Sequence, residues 1–131
     1  MTIRPKPHGA AVNVRSIALL IALASCAGPA FGGDLRLLMF DAPDCEFCAA
    51  WEQQVGAIYA RTAEGRRAHL GRAYAFGPPP EGVSLAGPVR FSPTFVLLRN
   101  GREIDRITGY NSEEQFWGLL GRALAQVPAK K

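Results

Sequence analysis

Two cysteines separated by two residues, Cys45-Glu46-Phe47-Cys48, are the part of this 131-residue chain best suited to chemistry. An apolar run precedes them and helical spacing follows, so the pair sits at a strand-to-helix junction. Backbone N–H groups at a helix start are unpartnered, and the helix dipole there favours negative charge. Both effects stabilise a thiolate at Cys45, and thiolate rather than thiol attacks disulfides. Two intervening residues put Cys48 one helical turn along, within bridging reach of Cys45. Cys45 is therefore the candidate nucleophile. Cys48 is the candidate resolving thiol, able to attack the mixed disulfide within the same chain and release reduced product.

Other uses of the pair fit less well. A structural zinc site needs four ligands, and the chain offers Cys45, Cys48 and at most His69. A c-type haem attachment needs His after the second cysteine, where Ala49 stands. A purely structural disulfide would close a very short loop and add little beyond local rigidity. No metal or cofactor is called for. A second signal is Phe91-Ser92-Pro93-Thr94-Phe95. Proline directly before an apolar strand removes a ladder donor. Local evidence leaves two readings open there, a cis Ser92–Pro93 bond and an ordinary trans proline opening a strand.

The elements that must position these residues follow from periodicity. Leu35 to Phe40 is a mostly apolar run, read as a buried strand, with a turn at Asp41-Ala42-Pro43. Asp44 is expected to cap the next helix, in which Cys48, Trp51, Val55 and Ile58 share one face. Thr62-Ala63-Glu64-Gly65 should end it. Leu70 to Phe76 reads as a second strand. Gly77-Pro78-Pro79-Pro80-Glu81-Gly82 can be neither regular helix nor central strand, and a short helical turn is expected near Val83–Ala86. Phe95 to Leu98 and Glu103 to Thr108 form a hairpin across Asn100-Gly101, where both turn residues tolerate positive φ. Gly109 breaks the run. Ser112-Glu113-Glu114-Gln115 is a capping box, followed by a helix with Phe116, Leu120, Ala123, Leu124 and Val127 on one side. The order strand, helix, strand, loop, strand, strand, helix predicts an α/β domain with a central sheet covered on both faces.

Composition narrows the setting. Hydrophobic residues make up 48% of the chain, enough for a packed core in a single domain. The net charge of +4 is misleading, because Arg4, Lys6 and Arg15 lie in a segment without acids. The rest carries 12 basic and 11 acidic residues, scattered, which argues against a nucleic-acid partner. Residues 1–32 read as an export signal: a basic n-region, an apolar run from Ile17 to Ala24, then small residues with several possible cleavage points. The run is shorter than the roughly 20 residues that span a bilayer, so no stable membrane span is expected after processing. Export points to a bacterial periplasm, where disulfides persist. Leu23-Ala24-Ser25-Cys26 also resembles a lipobox, so a lipoprotein anchored at Cys26 is the alternative. The expected organisation is a signal at 1–32, a domain at 33–127 and a tail at 128–131.

Together, the CxxC at a strand-to-helix junction, Pro93, the apolar hairpin, Gly109 and the capped final helix resemble the thioredoxin family over roughly Leu35 to Leu124. The resemblance implies a thioredoxin-like α/β fold, a central mixed sheet with helices on both faces. It also implies a cis Pro93 beside the cysteines and a Ser92 backbone that pairs with the substrate strand. Phe47 is expected to be exposed beside the sulfurs, where it can contact a partner. Phe47-Cys48-Ala49 with Trp51, the stretch Tyr59 to Ala68, the stretch Pro88 to Leu97, and Phe116 to Leu120 are similar to the SoxS-type periplasmic thioredoxins of bacterial sulfur oxidation. That narrower resemblance implies reduction of a protein cysteine on a SoxYZ-type sulfur carrier, with electrons from a membrane thiol transporter.

The departures bear on mechanism. Glu46-Phe47 replaces the family's Gly-Pro. Met39 stands where thioredoxin has a buried Asp, and Asp44 stands where it has Trp. A buried Met cannot carry a proton, so Cys48 needs water or another group, with Asp41 and Asp44 near in sequence. Negative charge at Asp44 and Glu46 opposes the Cys45 thiolate, which favours the disulfide form and so a reductant. Three other readings stay open: a general periplasmic disulfide reductase, an apocytochrome reductase, and a redox-inert or redox-sensing binding module on the same fold.

Overall fold

The computed structural model describes residues 2, 3, 9 and 34–128. The basic n-region, the apolar run, Cys26 and the last three residues lie outside the described residues. Strand β1 (Leu35–Asp41) is central, because its side chains are buried on both sides. Leu35, Leu37 and Met39 enter one core cluster, and Leu38 and Phe40 enter another. A continuous apolar run is what a doubly covered strand needs. Strand β2 (His69–Tyr74) lies parallel to β1, with Met39 opposite Arg72. Strand β3 (Thr94–Arg99) lies antiparallel on its other side, with Met39 opposite Phe95, and β4 (Arg102–Thr108) pairs antiparallel with β3. The order is β2-β1-β3-β4, a mixed sheet as expected. Asn100 and Gly101 turn the hairpin at φ of 53° and 79°, as the Asn-Gly pair implies.

Between β1 and β2 the chain forms α1 (Glu46–Trp51), a π-helical turn (Glu52–Gly56), α2 (Ala57–Tyr59) and α3 (Ala63–Arg67). The π-turn explains one departure from the periodicity. A π-turn takes up an extra residue, which rotates the following helix by one position. Tyr59 is therefore buried at 1% exposure, and Ile58, expected in the core, is 39% exposed. The Tyr59 hydroxyl donates to the Ala68 carbonyl at 2.7 Å. Thr62 does not simply end the helix. Its hydroxyl accepts from the Gly65 N–H at 3.0 Å and so caps α3. The last helix, α4 (Glu113–Ala125), is capped by Ser112, whose hydroxyl accepts from the Gln115 N–H at 3.2 Å. At its far end Arg67 donates to the Leu124 and Val127 carbonyls at 2.9 and 2.7 Å, tying the end of α4 and the residues after it to α3.

Among the described residues, all helical side chains of the core join the cluster on one face of the sheet: Cys48, Trp51, Val55, Tyr59, Phe116, Leu120, Ala123 and Leu124. The opposite cluster is covered by Val83, Leu85 and Val89 from an irregular segment instead. Three successive prolines at 78–80 exclude a helix there. The helical turn expected near Val83–Ala86 is absent as well. Ser84 instead bridges to Arg102, donating to the Gly101 carbonyl at 2.8 Å and accepting from Glu103 N–H at 2.9 Å. The open edge of β4 offers unpaired backbone groups, and an extended segment satisfies them.

That segment is pinned by one ion pair. Arg106 Nε donates to Glu103 Oε1 at 2.7 Å, and its other nitrogens reach the Gly87 and Pro88 carbonyls. The Ala86 N–H donates to Glu103 Oε2 at 2.7 Å. Burial pushes the Glu103 carboxyl up, but the bonds from Arg106 and Ala86 outweigh it and hold the group below its usual range. The stabilisation from ionised Glu103 is thus present above the unfolded-state carboxyl pKa and fades as pH falls through the folded value. Glu103→Gln is expected to cost about 1–2 kcal/mol at neutral pH. In urea unfolding against pH, that deficit should shrink on acidification; a deficit constant with pH would contradict it.

Candidate functional site

The site is built where β1 gives way to α1. Asp44, in the turn, has φ of 59°. The cap expected of it comes from Cys45 itself, at φ −87° and ψ 102°, whose Sγ accepts from the Cys48 N–H at 3.2 Å. Asp44 in the left-handed region points the chain into the helix and leaves the cap position to the next residue. The sulfur thus occupies the place where a capping oxygen would sit, in front of free amides. Cys45 and Cys48 are joined as a disulfide, with Cα atoms 5.2 Å apart. The two are not equivalent. Cys48 is buried at 6% exposure within the helical core cluster, while Cys45 is half-buried at its margin.

The Ser92–Pro93 peptide bond is cis, which resolves the two local readings. The Ser92 hydroxyl donates to Cys45 Sγ at 3.4 Å. Thr94, buried, donates to the Phe91 carbonyl at 2.7 Å, and the Pro93 carbonyl accepts from Gly109 N–H at 2.7 Å. The first bond closes the proline loop on itself, and the second ties it to the end of β4. Gly109 has φ of 82°, a conformation that favours glycine. The loops together with α1 form a groove of about 330 Å³ beside the disulfide, lined by Phe47, Phe91, Ser92, Pro93, Gly109 and Tyr110 among others. Phe47 and Phe91 stand out at its rim, 59% and 63% exposed. Exposed aromatic rings beside a reactive sulfur suit contact with a polypeptide partner.

The other side of the disulfide is acidic. An open cavity of about 560 Å³ is lined by Cys45, Cys48, Asp44, Glu46 and Glu52 with Ala42 and Ala49. Arg72, from β2, donates to Glu52 and to Met39 Sδ at 3.6 Å, and lies 4.0 Å from Asp41. The hydrogen bond to Glu52 holds the Arg72 guanidinium above its ordinary pKa, against the effect of its burial.

The structure therefore brings together Cys45, Cys48, Ser92, Pro93 and Phe47, all of them named from sequence. Three participants were not readable there. The Ser92 side chain, rather than only its backbone, touches the sulfur. Tyr110 is buried at 5% exposure, packs on Phe116 and donates to Gln54 in the π-turn. The Arg72–Glu52 pair joins β2 to the π-turn, and Arg72 lies opposite Met39 in the register of β2 with β1. Its sequence signal is weak: a charged residue opposite an apolar one in a parallel pair.

The arrangement has counterparts. Residues 32–124 match the profile of a thioredoxin-like domain. Periplasmic thioredoxin SoxS from Paracoccus pantotrophus, in reduced form, is 44% identical; the match covers 72% of this chain and 99% of that one, with a TM-score of 0.70. Thioredoxin from Fasciola hepatica is 23% identical, over 70% of this chain and 82% of that one, with a TM-score of 0.49. A mutant thioredoxin from Halobacterium salinarum is 22% identical, over 75% of this chain and 81% of that one, also with a TM-score of 0.49. No curated protein sequence matches at a significant level.

Proposed function

Because this chain belongs to the thioredoxin-like family and is a thiol–disulfide oxidoreductase, we propose that it works outside the cytoplasm as a reductant of a protein cysteine, that of a SoxYZ-type sulfur carrier in thiosulfate oxidation. The observation that carries the chemical part is the asymmetry of the two sulfurs. Cys45, half-exposed at the helix start, takes the amide of Cys48 and the hydroxyl of Ser92. Cys48 is buried one turn behind it.

In this reading the Cys45 thiolate attacks a disulfide sulfur of the substrate, and the first substrate thiolate leaves. A mixed disulfide remains. Cys48, having lost its proton, attacks Cys45 Sγ, the Cys45–Cys48 disulfide closes, and the second substrate thiolate leaves and is protonated. The chain is oxidised by two electrons and the substrate is reduced by two. A membrane thiol transporter restores the dithiol. The cis Pro93 loop offers the Ser92 backbone to an extended substrate segment, and Phe47 covers that segment from the helix side. The acidic flank of Asp44, Glu46 and Glu52 opposes excess negative charge at Cys45, which supports the reducing direction. The substrate and the compartment rest on likeness to the Paracoccus protein, a periplasmic thioredoxin. Among the described residues no helix is long and apolar enough to cross a membrane.

Cys48→Ser tests the reading. The variant should complete the first attack and stop, leaving its partner covalently held on Cys45. Expressed in a thiosulfate-oxidising host, it should yield an adduct that dithiothreitol releases and that mass spectrometry identifies as the sulfur-carrier subunit. An adduct with an apocytochrome, or with many unrelated proteins, would replace this substrate with one of the broader reductase activities.

A further inference from the structure

We propose that Glu52 is the proton acceptor for the Cys48 thiol, held in place by Arg72 as a positioning residue. The inference rests on the exchange chemistry above but not on the identity of the substrate. Cys48 must lose a proton before it can attack Cys45 Sγ, and at 6% exposure it meets solvent only through the cavity it lines. Met39, fully buried in the same cluster, has no group that could take that proton. Cys48 lines an open cavity together with three carboxylates, Asp44, Glu46 and Glu52.

The three carboxylates differ in how they are held. Asp44 and Glu46 are exposed, at the turn and the first helical position. Glu52 lies four residues after Cys48, and residues so spaced share a helix face. Its carboxylate is fixed by Arg72, reaching across from the neighbouring strand. Space for it is left by Gly56, where an added Cβ would collide with the Glu52 carboxylate. Facing Glu52 are thus the Arg72 guanidinium from β2, Asp41 at the end of β1, and Asp44 and Glu46 across the cavity. The cavity is open to solvent and carries these carboxylates, so a single water can relay the proton.

The step balances. The Cys48 S–H gives its proton through water to the Glu52 carboxylate. The resulting thiolate attacks Cys45 Sγ, the bond from Cys45 to the substrate sulfur breaks, and the substrate thiolate leaves. Glu52 then returns the proton to solvent or to that leaving thiolate.

Ellman's reagent separates this step from the first attack. In a Cys26→Ser background the reduced chain releases one thionitrobenzoate in a phase that depends on reagent concentration, by attack of Cys45. It releases a second in a phase independent of reagent, by attack of Cys48. Glu52→Gln keeps the shape and an acceptor for Arg72 but cannot take the proton. It should slow the second phase roughly 10- to 100-fold at neutral pH without slowing the first, which loss of a flanking negative charge can only quicken. Raising the pH above the ordinary thiol range of about 8.5 should restore the second phase. Glu52→Asp should retain part of the rate. An unchanged second phase overturns the proposal. So does an accelerated one, which would mean that Glu52 acts only by repelling the thiolate. Slowing that persists at high pH, or equal slowing of both phases, overturns it too. Because the reagent carries no protein partner, this result is independent of whether Cys48→Ser captures a sulfur carrier.

Discussion

Cys45→Ser is expected to abolish reduction of insulin by dithiothreitol through this protein, by at least about a thousandfold. A hydroxyl remains protonated where a thiol ionises, so the free amides at the helix start have no anion to stabilise. Cys48, left alone, is buried and cannot reach an incoming disulfide. The paired substitution at Cys48 leaves the exposed thiol and one attack. The two variants, alike in composition, should therefore fail at different steps: Cys45→Ser with no adduct, Cys48→Ser with a stable one. The reason is positional. Only Cys45 sits at the cap position, accepts the Cys48 amide and touches the Ser92 hydroxyl. Substantial turnover by Cys45→Ser, or equal adduct formation by both variants, would contradict this assignment.

Trp51→Ala should have the largest effect on stability, about 3–5 kcal/mol in urea or thermal unfolding. The ring is fully buried three residues beyond Cys48 and packs on Phe95 at 5.0 Å, Phe116 at 5.6 Å and Tyr59 at 6.3 Å between centroids. It joins the active-site helix to β3 and α4, and a small domain has only about 5–15 kcal/mol of stability in all. Trp51→Phe should behave differently. The Trp51 Nε1 is buried without a hydrogen-bond partner among the described residues, a situation that costs about 1–3 kcal/mol. Phenylalanine removes that donor along with some volume, so the two effects offset and the variant should fall well short of the alanine loss. An alanine variant as stable as the parent, or a phenylalanine variant equally destabilised, would show that the aromatic cluster does not hold the helix.

Much of this site could be read from local patterns, because its parts are local. A CxxC between an apolar run and a helical period needs no distant information to be placed at a helix start. Asn100-Gly101 and Ser112-x-x-Gln115 identify a hairpin and a cap through the backbone demands of single turns. The misreadings have the same origin. Periodicity assumes a uniform helix, so a π-turn at Glu52–Gly56 displaced Ile58 in favour of Tyr59. Asp44 is a good capping residue by type, but its left-handed backbone gave the cap to Cys45. A helical turn near Val83–Ala86 was plausible by composition, and the unpaired edge of β4 drew that segment into extended pairing.

By itself the sequence determined the reactive pair, the order of the elements and the presence of a proline against an apolar strand, since each is written in residues close together along the chain. Only the tertiary structure decided which sulfur is shielded, that the hydroxyl of Ser92 lies against Cys45, and that Arg72 meets Glu52. Those relations join residues 20 to 47 positions apart. They are set by strand register and by the packing of helix on sheet, which no local pattern encodes.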